Sequence, residues 1–94
     1  MVDDEFEWDD AKAATNFADH RVTFDAARQV FRDPFAIDAL DERENYGEDR
    51  YFVIGMADSR LLFVAYTMRG ERIRIISARG AESYEQRRYH EDND

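Results

Sequence analysis

The chain has 94 residues, a formal net charge of −9 and no cysteine. This length allows one modest core, and we expect residues 1–94 to form one domain with an ordered core over about 6–89. Without cysteine, disulfides and thiolate metal sites are excluded. No apolar run approaches the ~20 residues of a membrane span, and the acidic N-terminus does not resemble a signal peptide. We therefore expect a cytoplasmic protein that contacts no membrane.

The first half of the chain predicts a short strand followed by two helices. Phe6-Glu7-Trp8 fits the strand, and good N-cap residues precede helices over 10–20 and from 24 to about Phe31. Pro34 blocks continuation of the second helix. Residues 35–40 alternate loosely and fit another strand.

The second half predicts an antiparallel meander and a terminal helix. After a polar loop at 41–49, near-continuous apolar runs at 50–56 and 60–68 are typical of central strands. Short turns connect them to a strand over Arg72–Arg79, and residues 81–89 fit a helix. We predict an α+β fold of order β-α-α-β-β-β-β-α, with two N-terminal helices packed on a mainly antiparallel twisted sheet and a C-terminal helix. The helices would cover one face and leave the other open.

The strand Arg72–Arg79 organises the functional hypothesis. Side chains alternate along a strand, so Arg72 and Arg74 share one face. The same alternation assigns Ala78 to the arginine face and Ser77 to the opposite one. Two guanidinium groups ~6–7 Å apart suit an anionic target such as a phosphodiester. The alternative is a half-exposed strand whose arginines are solvated or paired with carboxylates.

Metal-free RNA cleavage would require few protein groups. The 2′-hydroxyl is the nucleophile, arginines stabilise the phosphorane, and His, Glu or Lys can move protons. Metal catalysis has little support because His20 and His90 are the only histidines and lie in different elements, so we expect no cofactor. The candidate catalytic residues are Arg74, Arg79, His20 and Glu48, and the candidate RNA-binding residues are Arg50, Arg72, Lys12 and Tyr89.

Each of these candidates also has a structural interpretation. His20 suits the C-terminus of a helix, where it interacts favourably with the dipole. Glu48 next to Arg50 fits an ion pair at the entry to a strand. Lys12 fits a solvated helix residue. Glu85 is a further candidate for proton transfer.

Several segments along the chain together resemble the pattern of a known protein family. The opening resemblance consists of Phe6-Glu7-Trp8-Asp9, Lys12, Asn16 and His20, followed by Val22, Phe24, Ala27 and Phe31-Arg32-Asp33-Pro34. The middle of the chain adds Asp41-Glu42-Arg43, Gly47-Glu48-Asp49-Arg50, Gly55, Leu62, Arg69-Gly70 and Arg72. The most specific block is Arg74-Ile75-Ile76-Ser77-Ala78-Arg79, followed by Ala81, Glu85 and Tyr89. In these segments the chain resembles the BrnT toxins, which usually have Lys-His-Gly where this chain has Asp19-His20-Arg21.

The resemblance implies a RelE-like fold and a ribonuclease toxin of a type II toxin–antitoxin pair, which inhibits translation by cutting RNA. It implies a small BrnA-like antitoxin as partner, whose DNA-binding domain represses the operon, so DNA is contacted only through the antitoxin. A toxin homodimer bridged by an antitoxin dimer is one arrangement of such a complex.

Two other functions compete with RNA cleavage. One is a catalytically silent interaction module that acts only in a regulatory toxin–antitoxin complex. The other, a DNA-binding regulator, is disfavoured by the acidic charge and the absence of a recognition-helix pattern.

Overall fold

The computed structural model describes residues 1–93 and has the predicted order of elements, apart from an added 3-10 helix. The strands are β1 (Phe6–Glu7), β2 (Ile37–Leu40), β3 (Tyr51–Ala57), β4 (Arg60–Arg69) and β5 (Arg72–Gly80). The helices are α1 (Asp10–His20), α2 (Phe24–Ala27), the 3-10 helix (Arg28–Arg32) and α3 (Ser83–Asp92). None of them is long and apolar enough to cross a membrane.

The five strands form one sheet in the order β1-β5-β4-β3-β2. Strand β1 runs parallel to β5, and all other neighbours are antiparallel. Left-handed turn residues, Asp58 at φ 56° and Gly70 at φ 61°, make the two tight connections of the β3–β4–β5 meander. The predicted α+β fold with a mainly antiparallel sheet is confirmed.

Helices α1 and α2 and the 3-10 helix pack on one face of the sheet, which we call the helix face. Its core is built from apolar side chains of both layers, among them Phe6, Trp8, Phe24, Val30, Val53, Leu62, Val64, Ile75 and Ala78. The 3-10 helix approaches β3 at Gly55, where a Cβ atom would lie 3.1 Å from the Val30 Cβ and carbonyl oxygen. Glycine therefore permits this close packing of backbone on backbone.

The second helix is shorter than the sequence predicts. Regular α-helix ends at Ala27, and the chain tightens into a 3-10 helix that ends before Asp33. The Asp33 carboxylate accepts hydrogen bonds from the amides of Phe35 and Met56, at 2.8 Å each. These bonds fix the chain's exit into the sheet, and 3-10 geometry is common at such ends.

The other face, which we call the second face, is only partly open, contrary to our expectation. Helix α3 packs on it, and Tyr89 of α3 joins a buried cluster with Ile37, Ile54 and Phe63. The helix also continues past the predicted end to Asp92. Residues 90–92, which lie outside the ordered core of about 6–89 that the sequence predicts, are thus helical, and Asp94 lies outside the described residues.

A bulge in β5 changes which side chains share a face. Ser77 pairs with Ala65 and Ile75 pairs with Tyr66, so Ile76 is the extra residue on β5. The alternation shifts by one, and Ala78 is fully buried in the helix-face core, not on the arginine face as predicted. Ser77 moves to the second face for the same reason.

The bulge also decides where Arg79 lies. Under strict alternation, positions 74 and 79 would point to opposite faces. With one extra residue between them, Arg79 shares the second face with Arg74, and its guanidinium carbon stacks 4.3 Å from the Phe63 ring centroid.

Candidate functional site

A row of polar side chains crosses the second face beyond the part covered by α3. Thr67 of β4 pairs with Arg74 of β5, and Arg74 pairs with Glu7 of β1. The β3–β4 register continues the row to Arg50, directly before β3. We call Arg50, Thr67, Arg74 and Glu7 the arginine row. Because neighbouring strands are ~4.8 Å apart, the backbones of Arg50 and Arg74 are separated by about 10 Å.

Arg74 is held by one carboxylate. Its Nη1 donates a hydrogen bond of 2.6 Å to Glu7 Oε2, and the two side chains are 27% and 15% exposed. Within residues 1–93 this is the single hydrogen bond of the Arg74 side chain. Since a guanidinium has five N–H donors, the others remain available to an anion.

Arg50 has a buried donor without a partner. Its guanidinium carbon lies 4.3 Å from the Tyr46 ring centroid. Its Nε lies 3.5 Å from Glu48 Oε2, close enough for an ion pair, but makes no hydrogen bond with any described residue. A buried N–H that lacks an acceptor is costly and uncommon. The Nε atom itself is closed to solvent, but the Arg50 side chain is 32% exposed, so other parts of the guanidinium can be reached from outside.

The segment before β3 is fixed against β4 by a threonine. Thr67 is buried, and its Oγ1 donates a 2.6 Å hydrogen bond to the Asp49 carbonyl oxygen. This bond holds Glu48 where its carboxylate lies 3.5 Å from Arg50 and 3.9 Å from Arg69. The predicted catalytic Glu48 is thus part of a charged cluster at one end of the arginine row.

Arg72 lies at the border of this cluster. It pairs with Arg69 across the β4–β5 turn, and its side chain is exposed. Its Nε donates a 2.7 Å hydrogen bond to the Asp3 carbonyl oxygen. Arg72, which the sequence predicts to bind RNA, therefore lies at the rim of the second face.

Arg79 is engaged differently from Arg74. It forms two hydrogen bonds with the buried Glu85 carboxylate, 2.7 Å from Nη1 to Oε1 and 2.9 Å from Nη2 to Oε2. Burial raises the pKa of Glu85, but the bonds from Arg79 and the Glu82 amide outweigh it and hold that pKa below its ordinary value. Arg79 thus ties β5 to α3, and contact with a phosphate would require this pair to open.

Tyr89 was predicted to bind RNA, but its side chain is buried between α3 and the sheet. The residue is 7% exposed, and its hydroxyl donates a 2.7 Å hydrogen bond to Asp33 Oδ2. Burial and the Asp33 carboxylate raise the pKa of Tyr89 to about 12. The ring therefore has no free face for base stacking, and the prediction of an RNA-binding Tyr89 is corrected to a role in attaching α3.

His20 and Lys12 lie together on α1, away from the arginine row. They line a cavity of about 360 Å³ between α1 and the bulged part of β5, whose wall includes Ser77 and Asp19. Ser77 is three residues from Arg74 on the same strand. The cavity thus borders the second face at the edge of β5, on the side opposite to Glu48.

Asn16 anchors α1 at this edge. Its Nδ2 donates to the carbonyl oxygens of Val22 (3.0 Å) and Ala78 (2.8 Å), and its Oδ1 accepts from the Ala78 amide at 3.0 Å. The side-chain amide thereby replaces the neighbouring strand that β5 lacks beyond β1. This contact sets the position of His20 one turn further along α1.

The fold and the arginine row define the class of this protein: a small α+β domain whose sheet carries guanidinium groups on one face. Residues 1–93 contain no group of three or more His, Cys, Asp or Glu side chains placed to hold a metal ion.

A family model described as "Ribonuclease toxin, BrnT, of type II toxin-antitoxin system" matches residues 8–85. The chain therefore belongs to the BrnT family of ribonuclease toxins, and the resemblance seen in its sequence is confirmed. Membership implies an antitoxin partner and an RNA substrate. No curated protein matches the chain.

Sequence reasoning missed Thr67 and Glu7. Thr67 follows the alternation of β4, so its face could be predicted, but its pairing with Arg74 depends on a register that the bulge alters. Glu7 reaches Arg74 only because β1 adds to β5 in parallel. No local pattern in the sequence predicts that pairing.

Proposed function

We propose that this chain is a metal-independent endoribonuclease that cuts RNA on the arginine row and so inhibits translation in the cytoplasm. The observation that carries the proposal is that Arg50 and Arg74 lie two strands apart on one sheet face, both partly exposed, and that most N–H donors of Arg74 have no partner among residues 1–93. Long guanidinium side chains can converge from this separation on one phosphate placed above Thr67. There they would stabilise the charge that develops on the phosphorane.

Two groups flank the proposed phosphate position and suit the two proton transfers. Cleavage requires one group to accept the 2′-hydroxyl proton and another to protonate the leaving 5′-oxygen. Glu48 lies on the β3 side of the row, beside Arg50, and His20 lies beyond the β5 edge, in the α1 cavity, so proton transfer by His20 requires the RNA to extend from the row over that edge. We assign Glu48 as the base and His20 as the acid, with Lys12 and Arg72 as contacts to the neighbouring backbone.

Single substitutions test this assignment. We expect Glu48→Gln and His20→Gln each to lower kcat/KM by roughly 10²-fold. Asp19→Asn is the control at the α1 cavity and should leave kcat/KM close to that of the wild type. Wild-type cleavage by Glu48→Gln or His20→Gln refutes the role of that residue.

The reaction itself is tested with purified protein and single-stranded RNA in EDTA. We expect cleavage to continue, with products that carry 2′,3′-cyclic phosphate, because the nucleophile is the substrate's own 2′-hydroxyl. An RNA with one 2′-deoxy nucleotide at the scissile position should resist cleavage at that position. Loss of activity on chelation, restored by a divalent cation, contradicts the metal-free mechanism.

A catalytically silent module is the second candidate, and specific contacts favour it. Arg74 is already paired with Glu7 and Arg79 with Glu85, and the chain carries a net charge of −9. An acidic protein repels phosphate at long range. If neither free RNA nor ribosome-bound message is cut, the chain would act only within its regulatory complex.

We propose further that a BrnA-like antitoxin covers the second face. An acidic or apolar segment, disordered when free, could lie across the arginine row and compete with RNA phosphate. Each toxin chain would contribute one domain, and two toxin chains would be bridged by an antitoxin dimer. The toxin would contact DNA only through the antitoxin. The contribution of charged residues to the affinity should depend on salt more at the rim of the contact than at its centre.

Co-expression tests the partner. Cells that make this chain alone should grow poorly, and a small DNA-binding protein encoded by the neighbouring gene should restore growth and co-purify with it. The variant His20→Gln, whose site lies away from the arginine row, provides a less toxic chain for measuring the affinity. The antitoxin proposal fails if the neighbour's product restores nothing or elutes separately.

A further inference from the structure

We infer that a cavity between α3 and the sheet binds one nucleobase of the RNA next to the cleaved phosphate. This inference rests on the proposed function and names the substrate contact that would give the enzyme base preference. The cavity has a volume of about 240 Å³. That is slightly below the ~300–1,000 Å³ of pockets for drug-sized ligands, as suits a single ring system.

A stacked aromatic pair forms part of the cavity wall. Phe52 and Phe63 of neighbouring strands stack on each other, with ring centroids 5.2 Å apart and planes inclined by 10°, so that only their outer faces are left for a ligand. Both line the cavity, together with Ile54. Tyr84 stands at the rim and is 56% exposed. Planar aromatic walls suit the faces of a nucleobase, which stacks on such rings in single-stranded RNA complexes.

Three guanidinium groups face these rings: that of Arg79 stacks on Phe63, and those of Arg88 and Arg43 also line the cavity. The Arg88 guanidinium carbon is 5.6 Å from the Phe52 centroid, and that of Arg43 is 5.7 Å from the Phe63 centroid. The edge of Arg43 is fixed by two hydrogen bonds to Asp41, of 2.9 and 2.8 Å. Arg88 is exposed and forms no ion pair within the described part of the chain.

Arg88 can therefore move to admit a base. A ring between Arg88 and Phe52 needs two stacking gaps of ~3.5 Å, so the guanidinium must withdraw by about 1–2 Å. An exposed arginine without an ion pair can do so, and its positive charge then lies against the base and near the sugar-phosphate chain. Arginine planes stack on bases in this way.

The position of the cavity matches the arginine row. Phe52 follows Arg50 by two residues on the same face, which is a separation of about 6–7 Å along the strand. A phosphate held at Arg50 thus lies next to a base at Phe52. A positively charged rim in a strongly acidic protein favours an anionic polymer over an acidic peptide, whose side chains would not use the aromatic walls.

The test uses single-stranded RNAs that carry one abasic site at successive positions around a fixed scissile bond. We expect one position at which loss of the base lowers kcat/KM by roughly 10-fold, on the scale of one base–aromatic stack. Arg88→Gln and Tyr84→Ser should lower cleavage of the intact RNA and abolish the difference between intact and abasic substrates. Arg87→Gln, on the same helix and exposed, should preserve that difference.

Binding of a non-cleavable 2′-deoxy oligonucleotide separates this inference from the proposed function. Suppose that the wild-type protein cuts no RNA but binds the abasic oligonucleotide about 10-fold more weakly than the intact one. The cavity then binds a base, and the nuclease assignment fails. If RNA is cut and no abasic position changes kcat/KM or affinity, the base site is refuted. Equal effects of Arg88→Gln and Arg87→Gln also refute it, as does exclusive occupation of the cavity by an antitoxin side chain.

Discussion

Arg74→Ala should lower RNA cleavage by roughly 10²-fold or more while the protein stays folded. The expected size is that of one lost donor to transition-state charge. Arg74 lies in the middle of the sheet face, and all but one of its N–H donors are free of described partners. Its side chain is 27% exposed, so its removal leaves no large cavity. Cleavage should be measured under single-turnover conditions, with folding checked by circular dichroism.

Arg72→Ala is the matched control for Arg74→Ala. Arg72 lies on the same strand and face, but it is exposed at the rim and bonds to the Asp3 carbonyl oxygen. We expect a loss below about 10-fold, mainly in KM, as for a contact made equally in ground and transition states. If Arg74→Ala cleaves like wild type, the arginine row is not the catalytic site. If Arg74→Ala unfolds, its pairing with Glu7 is structural.

Arg79→Ala should destabilise the fold by roughly 3 kcal/mol, because it leaves the Glu85 carboxylate buried without its partner. The Glu85 side chain is 3% exposed, and Arg79 supplies both hydrogen bonds that hold it to β5. Urea denaturation would show the loss as a lower midpoint. At a temperature well below its midpoint, the variant should retain cleavage within about 10-fold of wild type.

The double variant Arg79→Met with Glu85→Leu provides the control. It removes both charges and keeps apolar volume, so it should recover most of the lost stability. If Arg79→Ala keeps wild-type stability but loses cleavage by roughly 10²-fold, then Arg79 contacts the reacting phosphate and the ion pair opens during catalysis.

The Arg79–Glu85 pair should also make the stability of the fold depend on pH under acidic conditions. The pKa of Glu85 is lowered in the folded protein from an ordinary value of 4.5. A carboxyl with a lowered pKa contributes stability above its unfolded pKa and loses it as the pH falls. The contribution should therefore fade as the pH drops below about 4.5, and Glu85→Gln should show a weaker dependence in that range.

Local patterns were sufficient to predict the elements and their order. Apolar runs marked β3 and β4 as central strands, and N-cap residues marked the starts of α1 and α2. Long-range pairing was not encoded in these patterns. The bulge at Ile76 and the parallel addition of β1 depend on tertiary contacts, and together they decide which residues share a face with Arg74.

The candidate site was predicted only in part, because it too depends on long-range pairing. The arginine strand identified Arg74, but only the register shows that Arg50 lies two strands away on the same face. Sequence spacing cannot show that Tyr89 faces the sheet or that Arg79 meets Glu85. Both contacts depend on where α3 packs. The polar sequence of α3 does not indicate that this helix packs on the second face.

The most direct test of the site is to map a non-cleavable single-stranded RNA onto the protein by amide chemical shifts. We expect shifts that concentrate on the second face, at Arg50, Thr67, Arg74 and Ser77, and that weaken strongly in Arg74→Ala. Shifts confined to the exposed surfaces of α1 and α2, with the second face unaffected, would contradict it.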